Sequence, residues 1–300
     1  MKIDKQNGKV AFNDDSHVYW NTENNEKYIS VTTLIHKFTN EFDKEFWSAY
    51  KALEKLIPKD SWNIEKKSLL NIKKFDKSIL DVYDISENEF NKTQQEILDS
   101  WDEENRKSCE RGTKIHAEIE NSFYKKSTDI SLQKFGIGGK FECKKDYSEL
   151  DLEYGVYPEY LIYRESDDGI LRIAGQVDLI IKSGNDIWII DHKTNKKIDQ
   201  KSGFNTQTKS NAKMKYPLNT LDDCNFYHYT MQLSTYAWML QKINPDFNIK
   251  GLILNHYDHQ GNNTLYHCDY LKKEVERMLV FHKKELILEK QRAKRKRIEY

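Results

Sequence analysis

Two strongly apolar segments separated by a short turn limit the fold of this chain more than any other feature. Residues 174–181 read AGQVDLII, residues 187–194 read IWIIDHKT, and Ser183-Gly184-Asn185 between them has the composition of a turn. Apolar runs of this length between turn residues are typical of strands that are buried on both faces. The pair therefore predicts a β-hairpin in the interior of a sheet.

The patterns on either side of this hairpin predict a mixed sheet flanked by helices, an α/β fold. Alternating apolar and polar residues in the first 30 positions predict short antiparallel strands, and Ser30 is placed to cap a helix. Residues 40–110 have apolar residues at helical spacing. The later elements are expected as follows: a helix at 112–124, a glycine loop near 136–139, strands at 159–164, 171–181 and 186–192, a polar loop at 195–225, a helix at 229–242, a strand at 251–257 and a charged helix from about 271.

Charged residues interrupt both apolar segments at positions where burial is costly. Asp191 and Lys193 are two residues apart and therefore share one face of their strand, while Asp178 lies on the preceding strand of the hairpin. Two carboxylates are the oxygen ligands that hard divalent cations prefer, and a lysine can stabilise charge on a phosphate or orient water. The alternative is an Asp–Lys ion pair at a strand end.

Asp178, then Asp191 thirteen residues later, then Lys193 resembles the D…(D/E)-x-K signature of the PD-(D/E)XK nucleases. The flanking residues, GxxDLI and IIDxKT, resemble the RecB-like branch. Further similar motifs occur in the same order as in that branch: RGTKIH at 111–116, Pro158-Glu159, and QLSTY at 232–236. The resemblance covers about residues 108–242 and implies a restriction-endonuclease-like core with a helical N-terminal region.

The resemblance also implies roles for individual residues. Asp178, Asp191 and Lys193 would be catalytic, and Mg²⁺ or Mn²⁺ would be held by His116, Asp178, Asp191 and the backbone carbonyl of His192. The implied substrate-binding residues are Gln232, Tyr236 and Glu159. Each of these weaker assignments has a structural alternative: a structural histidine for His116, a core tyrosine with a polar neighbour for the Gln232–Tyr236 pair, and a strand-end ion pair for Glu159.

Within the branch, the chain is most similar to phage RecB-like exonucleases and the mitochondrial genome maintenance exonuclease. Segments at 17–19, 28–32, 217–218 and 223–225 carry this similarity. It implies cleavage of single-stranded DNA ends or flaps, with a single-strand-binding or recombination protein as a partner. A structure-specific or double-strand endonuclease, a non-catalytic DNA-binding recombination partner and an enzyme acting on another substrate remain alternatives.

Composition limits the remaining classes of protein. Lysine plus arginine equals aspartate plus glutamate at 48 each, so DNA binding would depend on the local charge of a binding face. The basic run at 290–297 is either the solvated end of a helix or a contact to phosphate. The four cysteines are scattered, and the resemblance to cluster-containing RecB-like nucleases fails because Cys268 stands alone; we expect no iron–sulfur cluster. Without a long apolar run or an apolar N-terminal signal, we expect a cytoplasmic protein with no membrane partner, in the host cytoplasm if phage-encoded.

The sequence shows neither an internal repeat nor a low-complexity linker. We expect residues 1–107 to form an N-terminal hairpin and helical region that guides DNA. Residues 108–300 are expected to form the nuclease core with its C-terminal helix, and both parts are expected to make one compact unit.

Overall fold

The chain begins with short strands, continues through a helical region and returns to strands, as the sequence patterns predict. The structure is a computed structural model that describes residues 2–72, 74–144, 152–205 and 210–298. The strands in these residues are β1 Lys5–Asn7, β2 Val10–Asn13, β3 Val18–Asn21, β4 Lys27–Ser30, β5 Ile130–Leu132, β6 Ile137–Phe141, β7 Gly155–Glu165, β8 Arg172–Ser183, β9 Asp186–Lys193, β10 Phe204–Asn205, β11 Ser210–Asn211, β12 Asn248–Tyr257 and β13 Asn263–Cys268. The α-helices are α1 Val31–His36, α2 Lys44–Leu56, α3 Lys59–Ile72, α4 Ser78–Val82, α5 Glu87–Lys126, α6 Asn225–Ile243 and α7 Lys272–Ile298.

A nine-stranded mixed sheet forms the centre of the fold and confirms the predicted α/β class. Its strand order is β1-β2-β3-β4-β8-β9-β12-β13, and β7 pairs with β8. Strands β7, β8 and β9 form the predicted antiparallel meander. Strand β12 adds in parallel to β9, and β4 adds in parallel to β8. The chain therefore uses its first 30 residues to extend the sheet that its later strands build.

Strand β8 changes partners along one of its edges. Near its beginning it pairs with β4 at Ile173 and Ala174, whereas its end pairs with β9 from Leu179 to Ser183. Residues 175–178 lie between these two pairings, and we call this place the fork. Strands β4 and β9 diverge at the fork, so in the described part of the chain β8 has no backbone pairing with either of them there. Side chains from the neighbouring strands can therefore approach each other at this place.

Helix α6 covers the sheet next to the fork. Its buried side chains include Met231, Leu233 and Leu240, and its Tyr236 ring lies against Gly175 in the fork. A Cβ atom at position 175 would meet Cε1 of Tyr236 at 2.6 Å, so the close approach requires glycine. Burial of each such aliphatic side chain contributes about 1.5–3 kcal/mol, which fixes the helix to the sheet.

The chain divides into two compact units. The first comprises Met1–Thr39, Lys114–Phe204 and Asn211–Tyr300 and contains the sheet with α1, α6 and α7. The second comprises Asn40–Thr113 and Asn205–Ser210 and is mainly helical, with a core of aromatic residues that includes Phe46, Tyr50, Trp62 and Phe90. Among the described residues, the helices lack the combination of length and apolar content needed to cross a membrane.

Three local expectations were wrong. Helix α5 continues through Gly112, where a new helix was expected to open, because one glycine costs a long helix only about 1 kcal/mol. The expected glycine loop at 136–139 overlaps β6, which forms a hairpin with β5 around the buried Phe141 and Ile130. Strand β13 was not predicted, because apolar and polar residues alternate only weakly along it. Its strand conformation depends on its antiparallel pairing with β12. Ser30 does cap α1, accepting the amide of Thr33 at 3.0 Å.

Candidate active site

Three neighbouring strands place three carboxylates side by side at the fork. Pairing of β7 with β8 at Pro158–Leu179 and Tyr160–Val177 sets Glu159 opposite Asp178. The register of β8 with β9 ends at Leu179–Ile190, so Asp178 and Asp191 are the next residues beyond it. Both aspartates continue the apolar segments that the sequence identified. The hairpin therefore brings the predicted catalytic carboxylates together.

Helix α5 directs His116 at these carboxylates. Its Nδ1 lies 3.6 Å from Oδ2 of Asp178 and 3.8 Å from Oε1 of Glu159. Its Nε2 donates to the backbone carbonyl of His192 at 3.0 Å. A ligating histidine commonly uses its second ring nitrogen in this way, which fixes the tautomer and the ring orientation. Nδ1 is consequently the nitrogen available to a metal ion.

The site concentrates negative charge in a poorly solvated place. Burial raises the pKa of Asp178, and it raises the pKa of Asp191 to about 6 despite the opposing effect of Lys193. Burial alone would lower the pKa of His116, but the nearby carboxylates of Asp178 and Glu159 outweigh it and raise that pKa to about 9. Burial is the main cause of the raised pKa of both aspartates, and a divalent cation bound beside them would offset the cost of burying their charged form.

Lys193 completes the predicted catalytic set. Its Nζ lies 2.7 Å from Oδ2 of Asp191 and 4.5 Å above the ring of Tyr229. Burial alone would lower the pKa of Lys193, but Asp191 and Asp178 raise it, so the side chain stays charged. The Asp–Lys pair weighed as an alternative is thus present, and it lies within a larger group of charges that includes His116.

Gln232 links this pair to helix α6. Its Oε1 is 3.4 Å from Lys193 Nζ, and its Nε2 is 3.2 Å from Asp191 Oδ1 and 3.3 Å from the Tyr236 hydroxyl. Gln232 is 8% exposed and Tyr236 2% exposed. In this structure Gln232 therefore contacts both Asp191 and Lys193, and Tyr236 contacts Gln232. Contact of Gln232 and Tyr236 with substrate stays a prediction.

The side chain of His192 points away from the carboxylates, as expected from strand alternation. Its Nδ1 accepts from Asn255 at 2.9 Å, and burial lowers its pKa to about 3, so the ring is neutral. The backbone of His192 serves the site on both sides: its amide donates to Asp178 at 2.6 Å, and its carbonyl accepts from His116. That carbonyl as a metal ligand stays a prediction.

Glu159 has contacts that sequence reasoning missed. Gln176 donates a hydrogen bond to its Oε2, and Lys5 on β1 lies 3.5 Å from the same oxygen. Gln176 lies two residues before Asp178, so strand spacing was a usable signal for it; nothing in the sequence connects Lys5 with the site. Glu159 also has a φ of 53°, a left-handed conformation that costs a non-glycine residue about 1–2 kcal/mol. Such strain persists where surrounding contacts fix a functional residue.

The residues at the fork fit a divalent metal ion. One donor atom each from His116, Glu159 and Asp178 lies within 4.8 Å of the others, and Asp191 adds a carboxylate next to Asp178. Oxygen donors with one neutral imidazole suit Mg²⁺ or Mn²⁺ better than a soft metal.

Buried carboxylates and a lysine on neighbouring strands of a mixed sheet, with an imidazole directed at them from a helix, are typical of a class of metal-dependent hydrolases. Residues 72–297 match the model of the PD-(D/E)XK nuclease superfamily, and the chain belongs to that superfamily. Proteins of this superfamily are nucleases that use divalent metal ions, and the group formed by His116, Glu159 and Asp178 could hold such an ion.

Solved structures with similarity to the chain include a protein from Eubacterium rectale described as a candidate exonuclease. It is 11% identical with a TM-score of 0.32, and the match covers 87% of this chain and 80% of that one. SSO0001 is 19% identical with a TM-score of 0.26 over 44% of this chain, which spans only 50% of SSO0001. A search of curated proteins finds no match.

Proposed function

We propose that this protein is a Mg²⁺- or Mn²⁺-dependent deoxyribonuclease that removes nucleotides from single-stranded DNA ends. The observation that supports the proposal most strongly is the convergence at the fork: His116, Glu159 and Asp178 as a metal-binding group, with the Asp191–Lys193 pair beside them. The superfamily supports the nuclease chemistry. Preference for single-stranded ends rests on the similarity to RecB-like exonucleases.

In this proposal His116, Asp178 and Asp191 hold the metal ion, with Glu159 as a further carboxylate and the carbonyl of His192 as a further ligand. A bound divalent ion supplies Lewis acidity to a phosphoryl oxygen and to water. Lys193 supplies a fixed positive charge where negative charge develops on the phosphate.

Gln232 and Tyr236 keep Lys193 and Asp191 in register through the contacts from α6. Lys5 and Gln176 restrain Glu159 from the opposite side. Preorganisation of this kind matters because displacing a catalytic group by about 1 Å can cost about a hundredfold in rate. We further propose that the N-terminal region, residues 1–107, guides DNA, with the site itself formed by residues 108–300.

The test is a gel assay with end-labelled single strands, a closed circular single strand, duplex DNA and an RNA strand of matched sequence. Each substrate is incubated with EDTA, Mg²⁺ or Mn²⁺. Metal-dependent shortening of linear strands with intact circles is the expected result, and comparison of 5′ and 3′ labels gives the polarity.

Asp178→Asn is the inactive variant in this assay, and Asp246→Asn, a change at an exposed aspartate, is its matched control. Cleavage of circles would replace the exonuclease proposal with an endonuclease. Equal cleavage by wild type and Asp178→Asn would show that the fork is not the active site, and retention of DNA without cutting would make the protein a binding partner.

A further inference from the structure

A groove on the first unit combines exposed aromatic and aliphatic surface with positive charge. It has a volume of 510 Å³ and lies between helix α7 and the segment at 216–217. We call it the Tyr216 groove; Tyr216, Lys273, Arg277, Val280, Phe281 and Lys284 line it. Tyr216 is 68% exposed and Val280 55% exposed, so the groove presents apolar surface to solvent.

The Tyr216 ring is held in place from below. It lies edge to face against Phe281 with 5.4 Å between centroids, and Phe281 in turn contacts Phe38 at 5.9 Å. The backbone is fixed as well, since the amide of Lys215 donates to the carbonyl of Phe38 at 2.7 Å and the amide of Leu218 donates to the carbonyl of Lys215 at 2.9 Å. The groove therefore presents its aromatic ring on a rigid support.

Positive charge accompanies this ring. Lys273, Arg277 and Lys284 are spaced by four and seven residues and so lie on one face of α7. Glu276 is the acid in the lining, and Arg277 also contacts Glu274 at 2.7 Å. Residues 272–295 contain nine lysines or arginines against four glutamates, although the whole chain has no net charge. The excess is thus concentrated on this helix.

We propose that the Tyr216 groove binds single-stranded DNA outside the active site. Sequence-tolerant single-strand binding combines cations that follow the phosphates with aromatic rings on which bases stack, and the groove offers both. A partner protein would be expected to need less positive charge at the centre of its interface. The proposal rests on the proposed nuclease function, because the strand bound here is the substrate strand.

The first test measures binding without cleavage. A fluorescent oligothymidine of about 15 nucleotides, within the range of site sizes of single-strand binders, is titrated with protein in EDTA, and anisotropy gives the Kd. Tyr216→Ala is expected to weaken binding by at least about fivefold through the lost stacking. Tyr154→Ala is the matched control, since Tyr154 is also exposed and stacks on a phenylalanine, Phe141; it is expected to bind as wild type.

The second test removes charge. Arg277→Ala with Lys284→Ala is expected to make the dependence of log Kd on log salt less steep by about 1.4, since each phosphate contact to a single strand contributes about 0.7. Lys125→Ala with Lys126→Ala removes the same charge from exposed positions at the end of helix α5, outside the groove and outside the proposed DNA-guiding region, and is expected to leave the slope unchanged.

Two results would overturn the proposal. The first is wild-type affinity and salt dependence in both groove variants. The second is that the wild type sediments as a dimer whereas the Tyr216→Ala variant sediments as a monomer. That result would assign the groove to a second copy of the chain. Because binding is measured in EDTA, a protein that binds through the groove but never cuts DNA contradicts the proposed nuclease function alone.

Discussion

Replacing Asp191 with asparagine is expected to make the metal-free protein more stable while it removes metal-dependent cleavage. Asparagine keeps the shape of the side chain and its acceptor for Gln232 but cannot ionise. Asp191 is 2% exposed, and its burial raises its pKa to about 6 from an ordinary 3.8. At neutral pH the folded wild type therefore buries an ionised Asp191 carboxylate, and it would be more stable if that carboxyl group were neutral.

The magnitude follows from that pKa. The difference between about 6 and 3.8 corresponds to about 3 kcal/mol, because one pH unit is worth about 1.4 kcal/mol. Since the pKa of Asp191 is raised on folding, the carboxyl group contributes this free energy to the stability of the wild type below pH 3.8. The contribution is lost as the pH rises through about 6. This pKa already includes the favourable 2.7 Å contact between Lys193 and Asp191, so the gain is not reduced a second time for its loss. We expect the free energy of unfolding of Asp191→Asn to exceed that of the wild type by about 1–3 kcal/mol at about pH 8 and by little at about pH 4.

Urea unfolding in EDTA at both pH values measures this difference in the free energy of unfolding. Asp246→Asn serves as the control for removing an exposed aspartate, and its difference from the wild type should not change with pH in this way. Adding Mn²⁺ should reverse the order of stability, because a ligand that binds only the folded wild type stabilises it. A metal-free Asp191→Asn that is less stable than the wild type at about pH 8 would refute the reasoning.

Three further predictions concern the same region. The affinity for Mn²⁺, measured by calorimetry, should increase by up to about tenfold for each unit that the pH is raised, up to a pH of about 9. The reason is that the metal must displace the proton that the carboxylates hold on His116. An affinity independent of pH would contradict Nδ1 as a ligand. Lys193→Ala should keep this affinity but lower kcat by about a hundredfold or more, and a lost calorimetric signal would instead make the lysine part of the metal site. Gly175→Ala should cost about 1–3 kcal/mol in urea unfolding because its Cβ would overlap the Tyr236 ring, whereas Gly138→Ala, which meets nothing within 4 Å, should cost less.

The part of the site that sequence reasoning predicted is the part formed by local structure. Asp178, Asp191 and Lys193 belong to one hairpin, and alternation along its two strands is enough to predict that they meet. His116 needed the similarity to known nucleases, since a histidine on an amphipathic helix has no partner that spacing can reveal. Its 3.0 Å contact with the His192 carbonyl joins residues 76 positions apart.

The features that sequence reasoning missed depend on distant pairing. Lys5 reaches Glu159 only because β1 extends the same sheet, and the left-handed φ of Glu159 has no signature in its residue type. Continuation of α5 through Gly112 is similar: neighbouring turns on both sides stabilise the helix by more than glycine costs.

The fork has a consequence for the order in which the protein assembles during synthesis. Strand β4 leaves the ribosome before its partner at Ile173 and Ala174, which follows about 140 residues later. Until then the first strands expose an edge, and long-range pairing of this kind is slow because the intervening chain must be closed first. The proposed metal ligands come together only when the sheet is complete. A metal ion bound by them would therefore stabilise the whole sheet unit rather than a local motif.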